Sequence, residues 1–236
     1  MRARGNGTVG EPGVRAMVVY DSVAAGEGLV PGWGFSCLVE AEGRSLLFDT
    51  GWDANTLLAN LRALGRDPAT IGDIFLSHSH WDHLGGLAGL LAAGSKARVI
   101  VPASFSARLK GEIGKRAEVL EVDGPVAIAP GCLSTGELGT DIVEQSLILK
   151  TGAGLTVLTG CAHPGLRTIL AAAGKIGNVV GLIGGFHDFS DLGLLQGIQI
   201  IIPCHCTSQA GAIRRLYPEA YREGGVGTTI EMGESD

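Results

Sequence analysis

Residues 77–86 read Ser-His-Ser-His-Trp-Asp-His-Leu-Gly-Gly, so three imidazoles and one carboxylate fall within the six positions 78–83. In extended backbone, positions i and i+2 project to the same side, which lets His78 and His80 converge on one point. Asp82 and His83 come where the chain turns into a glycine-rich helix, and can reach a second point nearby. Imidazole nitrogen and carboxylate oxygen are ligands that zinc, iron and manganese accept. A polar loop with incidental histidines is the competing explanation, but packing gives no reason for such a density of ligand types. The chemistry expected is that of a divalent ion, which lowers the pKa of a bound water to about 7 and polarises a carbonyl or phosphoryl oxygen.

The chain has six histidines, and the other three each follow an apolar run: His163 in TGCAHPG, His187 in GGFHDF and His205 in PCHCTS. Strand ends opening into a crevice are where α/β folds place their sites. A lone histidine there is usually a satisfied core or surface residue. Three in one context, beside a metal loop, point His163 and His205 toward the ion. Cys161, Cys204 and Cys206 lie beside these positions. Strand alternation puts Cys161 on the side of His163, and Cys204 and Cys206 on the side away from His205. All three read as small buried residues lining strand ends rather than as ligands.

These residues need strands to end in a common place. Apolar patterning predicts strands over 14–20, a hairpin over 34–49 turned at Glu42-Gly43, and strands over 73–78, 97–102, 117–122, 126–136, 143–150, 155–160, 178–185 and 198–205. Helices are expected over 53–65, 84–94, 104–113, 164–174 and 208–217. Strands in clusters, with helices interposed in both halves, imply an α/β fold of four layers, αββα: two mixed β-sheets face to face with helices outside. The opening 1–16, basic and glycine-rich, reads as a disordered leader, with Met17 a candidate start and 17–236 a single domain.

Composition narrows the function. Of 236 residues, 45% are hydrophobic and 18% charged, a balance that fills a core. The net charge is −6, and no basic run exceeds a pair such as Arg214-Arg215, so no nucleic-acid partner is expected. No apolar stretch reaches membrane-spanning length, and the opening has no signal-peptide core. Five cysteines, odd in number and irregularly spaced, fit the reducing cytoplasm. The expected partner is a small-molecule substrate.

Together GFSCLVE, LLFDTG, SHSHWDHLGGL, LTGCAHPG, IGGFH and PCHCT resemble the metallo-β-lactamase superfamily over most of the chain. Within it they look like the branch of the dihydropterin-ribofuranosylaminobenzene-phosphate synthases and related metal-dependent hydrolases. The resemblance implies that His78, His80 and His163 hold a first ion, and Asp82, His83 and His205 a second. It also implies that Asp49 buttresses the metal loop and fixes the tautomer of a ligating histidine. Many relatives carry a bridging aspartate roughly where His187 stands, and a neutral imidazole, with one free lone pair, cannot bridge. A looser pair of ions, a weak second site, or a His187 that faces substrate would follow; the last is preferred, with Asp188 facing away. Trp33 and Phe35 lie in a loop that often overhangs the metals in relatives, and are candidates to line the substrate pocket, with core packing the alternative. Glu27, Ser36 and Thr207 are further candidates for ligand contact.

The reaction expected is hydrolysis of an ester, lactone, thioester or phosphoester by a metal-bound hydroxide. Asp82 would hold a metal and orient the hydroxide or relay its proton, and His187 would donate to substrate oxygen. Zinc is the first choice of ion, with iron, manganese or magnesium as alternatives. The branch resemblance keeps open a transferase that condenses a pterin diphosphate with a ribosyl-aminobenzene phosphate. A non-catalytic binding protein is a further alternative. A di-iron flavoprotein oxidoreductase fits less well, because that relative has glutamate where His80 stands.

Overall fold

A computed structural model of the chain describes residues 13–233. In β1 (Val14–Tyr20), Val14, Ala16 and Val18 face one core while Met17 and Val19 face another. Both faces of the strand are therefore covered, and the sequence is apolar throughout for that reason. β2 (Ser36–Ala41) and β3 (Arg44–Phe48) make the expected hairpin, turned at Glu42 and Gly43 with φ of 49° and 73°. Two successive positive φ values suit a tight hairpin between twisted strands. α1 (Ala54–Ala63) starts at Asp53, whose side chain accepts the Thr56 N–H. There follow β4 (Asp73–Phe75), α2 (Trp81–Leu84), α3 (Leu87–Ala92), β5 (Arg98–Pro102), α4 (Ala107–Gly114) and β6 (Val119–Val122).

The second half runs β7 (Val126–Ala129), β8 (Cys132–Ser134), β9 (Leu147–Thr151), β10 (Gly154–Thr159), α5 (Leu166–Gly174), β11 (Val179–Gly185), β12 (Ile200–Cys204), α6 (Ala210–Leu216) and β13 (Thr229–Met232). One sheet has the order β13-β1-β2-β3-β4-β5-β6, the other β12-β11-β10-β9-β8-β7. Each is mixed: β3 to β6 pair in parallel, as do β10 to β12, and the remaining pairs are antiparallel. Three clusters of buried side chains separate the layers. Phe48, Phe75, Leu149 and Ile202 belong to the one between the sheets. Leu57, Leu61 and Leu90 join the first sheet to its helices, and Ile169 and Ile213 join the second sheet to α5 and α6. This is the four-layer αββα arrangement that the strand and helix patterning implied.

Several boundaries differ from expectation. The stretch 126–136 is a hairpin, because Gly131, at φ 68°, turns the chain between β7 and β8. The helix expected over 84–94 is the shorter α3, and a separate turn of helix, α2, precedes it, the two divided at Gly85-Gly86. A Cβ on Gly86 would collide with the Thr50 carbonyl, so this close approach requires glycine. β13 was not anticipated; it pairs antiparallel with β1. Val14 to Ala16 already belong to β1, as the strand expected over 14–20 implied, and are buried or half-buried. The leader expectation for residues 1–12 lies outside the described residues. Among the described residues no helix is long and apolar enough to cross a membrane.

Candidate metal centre

Six connections deliver polar side chains to one edge of the molecule, each at the carboxyl end of a strand. Asp21 follows β1, Asp49 follows β3, and 78–83 follow β4; 161–163 follow β10, His187 follows β11 and His205 follows β12. Crevices outside such strand ends are where open α/β sheets bind ligands. Five non-glycine residues have positive φ among the described residues, and four of them are here: Asp49 (53°), Ala162 (59°), His187 (48°) and His205 (50°). Side chains disfavour that region, so the surroundings must hold these residues in place.

His78, His80 and His163 form a triangle, with ring centroids 4.7, 4.8 and 4.9 Å apart. His80 Nδ1 lies 3.2 Å from His163 Nε2. The Ser77 hydroxyl donates to Asp49 Oδ2 at 2.7 Å, so its oxygen accepts from His78 Nδ1 at 2.9 Å. That relay leaves His78 Nε2 as the lone-pair nitrogen, and Nε2 is buried with no hydrogen-bond partner. Burial, followed by the neighbouring imidazoles, holds the His78 pKa well below the usual histidine range. The same two causes lower His163 to about 4.

His83, Asp82 and His205 gather beside this triangle, the His78 and His83 rings being 4.3 Å apart. His83 Nδ1 donates to Asp49 Oδ2 at 2.7 Å, which turns Nε2, with its lone pair, toward Asp82 Oδ2 at 3.9 Å. Asp82 Oδ2 is also 3.1 Å from His205 Nε2, a contact without hydrogen-bond alignment. Burial works against the charge on Asp82, but His205 and His83 outweigh it and hold the carboxyl at about 2. Burial likewise opposes charge on His83, and Asp49 overcomes it to raise the pKa.

His187 is beside the triangle rather than inside it. Its ring centroid is 5.2 Å from that of His163, its side chain is half exposed, and Nδ1 is 3.3 Å from Asp188 Oδ2. Asp188 points outward, as expected, with 84% of its side chain exposed. His187, His163, Phe186 and Leu194 line a cleft of about 370 Å³ next to the histidines. Trp33 packs its ring 4.7 Å from that of His205 and stays 56% exposed. Phe35 is a correction: it is fully buried between the sheets against Phe48 and cannot line a pocket. The β1–β2 connection turns inward after Gly34, and the aromatic side chain completes the core. Ser36 and Thr207 are also committed elsewhere, their hydroxyls donating to the carbonyls of Asp49 and Cys204. Glu27 is exposed.

Three residues of the site escaped the sequence. Glu144, fully buried, accepts four backbone N–H groups from Gly160, Cys161, Ala162 and His163 at 2.9–3.1 Å. It shapes the turn that presents His163, and burial raises its pKa against those donors. An acidic residue leading into the apolar run LILK was the available signal. Asp21 accepts the His205 N–H at 2.8 Å and steadies the positive-φ backbone there. Cys161 is the third: Sγ lies 3.2 Å from His83 Nε2, and falls within 4.8 Å of donor atoms of His78 and His163 and again of His83 and His205. Its side shared with His163 was legible; its convergence with His83 was not. A hydrogen bond shared with Cys161 lowers the Cys206 thiol to about 6, and raises that of Cys161. Cys204 is buried in the core, as expected.

Donor atoms sharing one tetrahedral zinc stand about 3.3–3.7 Å apart, given bonds of about 2.0–2.3 Å. The spacings here, 3.2 Å for His80 and His163 and 3.1 and 3.9 Å for Asp82 with His205 and His83, bracket that range. With Nε2 of His78 buried among them and left without a hydrogen-bond partner, the residues fit divalent ions.

The family model described as "Metallo-beta-lactamase superfamily" matches residues 31–172. The chain is 28% identical over 207 residues to a 7,8-dihydropterin-6-methyl-4-(beta-D-ribofuranosyl)-aminobenzene-5'-phosphate synthase of Methanocaldococcus jannaschii, covering 65% of this chain and 70% of that one. Among solved structures, Tm1679, described as a metal-dependent hydrolase of the β-lactamase superfamily, is similar at TM-score 0.77 and 26% identity, covering 94% of this chain and 100% of that one. YhfI of Bacillus subtilis has the same fold, with TM-score 0.69 at 14% identity, over 94% of this chain and 100% of that one.

Proposed function

The chain belongs to the metallo-β-lactamase superfamily, and on that premise we propose that it hydrolyses an ester, lactone, thioester or phosphoester small molecule with the help of two divalent ions. The observation that carries the reading is the pair of close donor contacts, His80 Nδ1 to His163 Nε2 at 3.2 Å and Asp82 Oδ2 to His205 Nε2 at 3.1 Å. The nitrogen-rich donor set favours zinc, then iron or manganese, over magnesium. When bound, the ions supply an acidified water and a Lewis acid for the scissile bond. His78, His80 and His163 would hold one ion; Asp82, His83 and His205 would hold the other. Asp82, ionised down to about pH 2, would help hold an ion and orient the attacking water or relay its proton. His187, at the mouth of the cleft, donates to the substrate oxygen that gains charge. Asp49 and Ser77 fix the ring tautomers, and Trp33 shields one side of the centre from water. The five cysteines are free thiols, which supports the cytoplasm as its location.

Metal analysis of purified protein, joined to a panel of ester, lactone and phosphodiester substrates, tests this. The expected result is about two bound ions, turnover lost to chelator and restored by zinc, and no turnover in His80→Ala. Full activity in that variant, or in chelated protein, would overturn the assignment.

A second reading, transfer rather than hydrolysis, draws on the synthase relative and on the surface around the centre. Trp33, Trp52 and Trp81 are the only tryptophans of the chain, all are exposed, and the Trp52 carbonyl and the Trp81 indole nitrogen meet at Gly85 beside the metal loop. Such a rim suits stacking of a flat heterocycle. Release of pyrophosphate from a pterin diphosphate supports this reading; release of a hydrolysed acid from the panel supports the first.

A further inference from the structure

The geometry points to Cys161 as a thiolate ligand shared by the two ions, the bridge between the His78/His80/His163 group and the Asp82/His83/His205 group. This rests on the metal-dependent reading above. Its Sγ is the one donor atom common to both compact groups at the centre, His78–Cys161–His163 and His83–Cys161–His205, in each of which the donor atoms lie within 4.8 Å of one another. Three buried ring nitrogens without hydrogen-bond partners, Nε2 of His78 and both Nδ1 and Nε2 of His205, belong to the same two groups. Each group thus joins the sulfur to an imidazole with an unpartnered nitrogen.

The other anionic side chains nearby are committed. Asp49 is taken up by Ser77 and by His83 Nδ1, and Glu144 by four backbone N–H groups. Asp21 is committed through one oxygen only: Oδ1 accepts from His205 N and Ser22 N, while Oδ2 is buried without a partner. Asp188 points to solvent beside His187. Asp82 leans on His205 at one side of the cluster. An imidazole offers a single lone pair and cannot bridge, whereas a thiolate sulfur carries three. Charge argues the same way. Two divalent ions among five neutral imidazoles and one carboxylate keep a large positive excess in a buried centre, and a thiolate offsets part of it. A coordinating thiol gives up its proton to the medium as the ion binds. Cys161 is 3% exposed, and Glu144 anchors its backbone N–H at 3.1 Å, so the sulfur is preorganised by a residue outside the ligand set.

Cobalt(II) titration of the chelated, reduced full-length protein tests the assignment by absorbance, without any substrate. Wild type should take up two equivalents, and the intense near-ultraviolet sulfur-to-cobalt charge-transfer band should grow across both. Cys161→Ser should lose that band and bind its second ion about 10–100-fold more weakly, while Cys206→Ser should keep it. Two equivalents bound by wild type with no sulfur band would overturn the bridge and leave the histidine sites standing, a result that needs no variant to fold. A band that survives Cys161→Ser but vanishes in Cys206→Ser would also overturn it. Wild type that binds no cobalt would remove both the bridge and the metal-dependent reading beneath it.

Discussion

Asp49 Oδ2 and His83 Nδ1 are 2.7 Å apart, both side chains fully buried, and the same carboxylate also accepts the Ser77 hydroxyl and the Ser77 N–H. One residue at the end of β3 thus sets the tautomers of two rings, His83 directly and His78 through Ser77. An asparagine in its place would retain one acceptor oxygen for three donors and bring an N–H₂ against them. Asp49→Asn is therefore expected to bind metal about 10–100-fold more weakly and to unfold about 1–3 kcal/mol more easily. Zinc competition and denaturant titration measure the two effects; unchanged affinity would show that the tautomers need no fixing.

Glu144 makes the same argument for the turn at 160–163. In Glu144→Gln one carboxylate oxygen becomes an N–H₂ group, which meets backbone donors instead of accepting them. The first ion should then be bound more weakly, with the second less affected, because His163 is the ligand proposed on that turn, its N–H held by Glu144. Stepwise zinc stoichiometry separates the two. Equal weakening of both would mean that Glu144 supports the whole centre.

Trp33 and Phe35 are two positions apart and do opposite things. Phe35→Ala should cost about 3–5 kcal/mol of stability, as a buried aromatic removed from a close-packed core, with little change in KM for the protein that folds. Trp33→Ala should leave the unfolding midpoint nearly unchanged and raise KM. A Trp33 variant that loses stability instead would place that ring in the packing.

Acid stability follows from the imidazoles. His163 has a folded pKa of about 4 against an ordinary 6.5, and His78 is lowered in the same direction. Between those pH values the unfolded chain binds protons that the folded chain refuses, so stability is full above 6.5 and is lost as pH falls toward 4. His83, with its raised pKa, works in reverse, adding stability on the acid side and losing it as pH rises through its folded value. Asp82, held at about 2, contributes down to below this window. Chelated protein should show a falling melting temperature on acidification, and His163→Ala a shallower fall. A midpoint that rises instead would mean that His83 dominates.

Much of the fold was legible because β-strands buried on both faces write themselves as continuous apolar runs. β1 and β11 are of this kind. What went unread was β13, whose TIEM has too little patterning to announce a strand without β1 beside it. Phe35 was misassigned because an aromatic in a loop looks the same whether the chain then turns toward the mouth or toward the core.

The sequence by itself determined the proposed ligand loop: His78, His80, Asp82 and His83 are close in chain, and the two-residue period of extended backbone followed by a helical turn sets their directions. Only the tertiary structure decided what joins them. Cys161 meets His83 across 78 residues of chain, and His205 comes to Asp82 from the other sheet. Such meetings depend on how two sheets stack and how far each strand runs before it stops. A hydrogen bond or a metal contact is decided within tenths of an ångström, whereas residue spacing specifies only a direction, and packing supplies the distance.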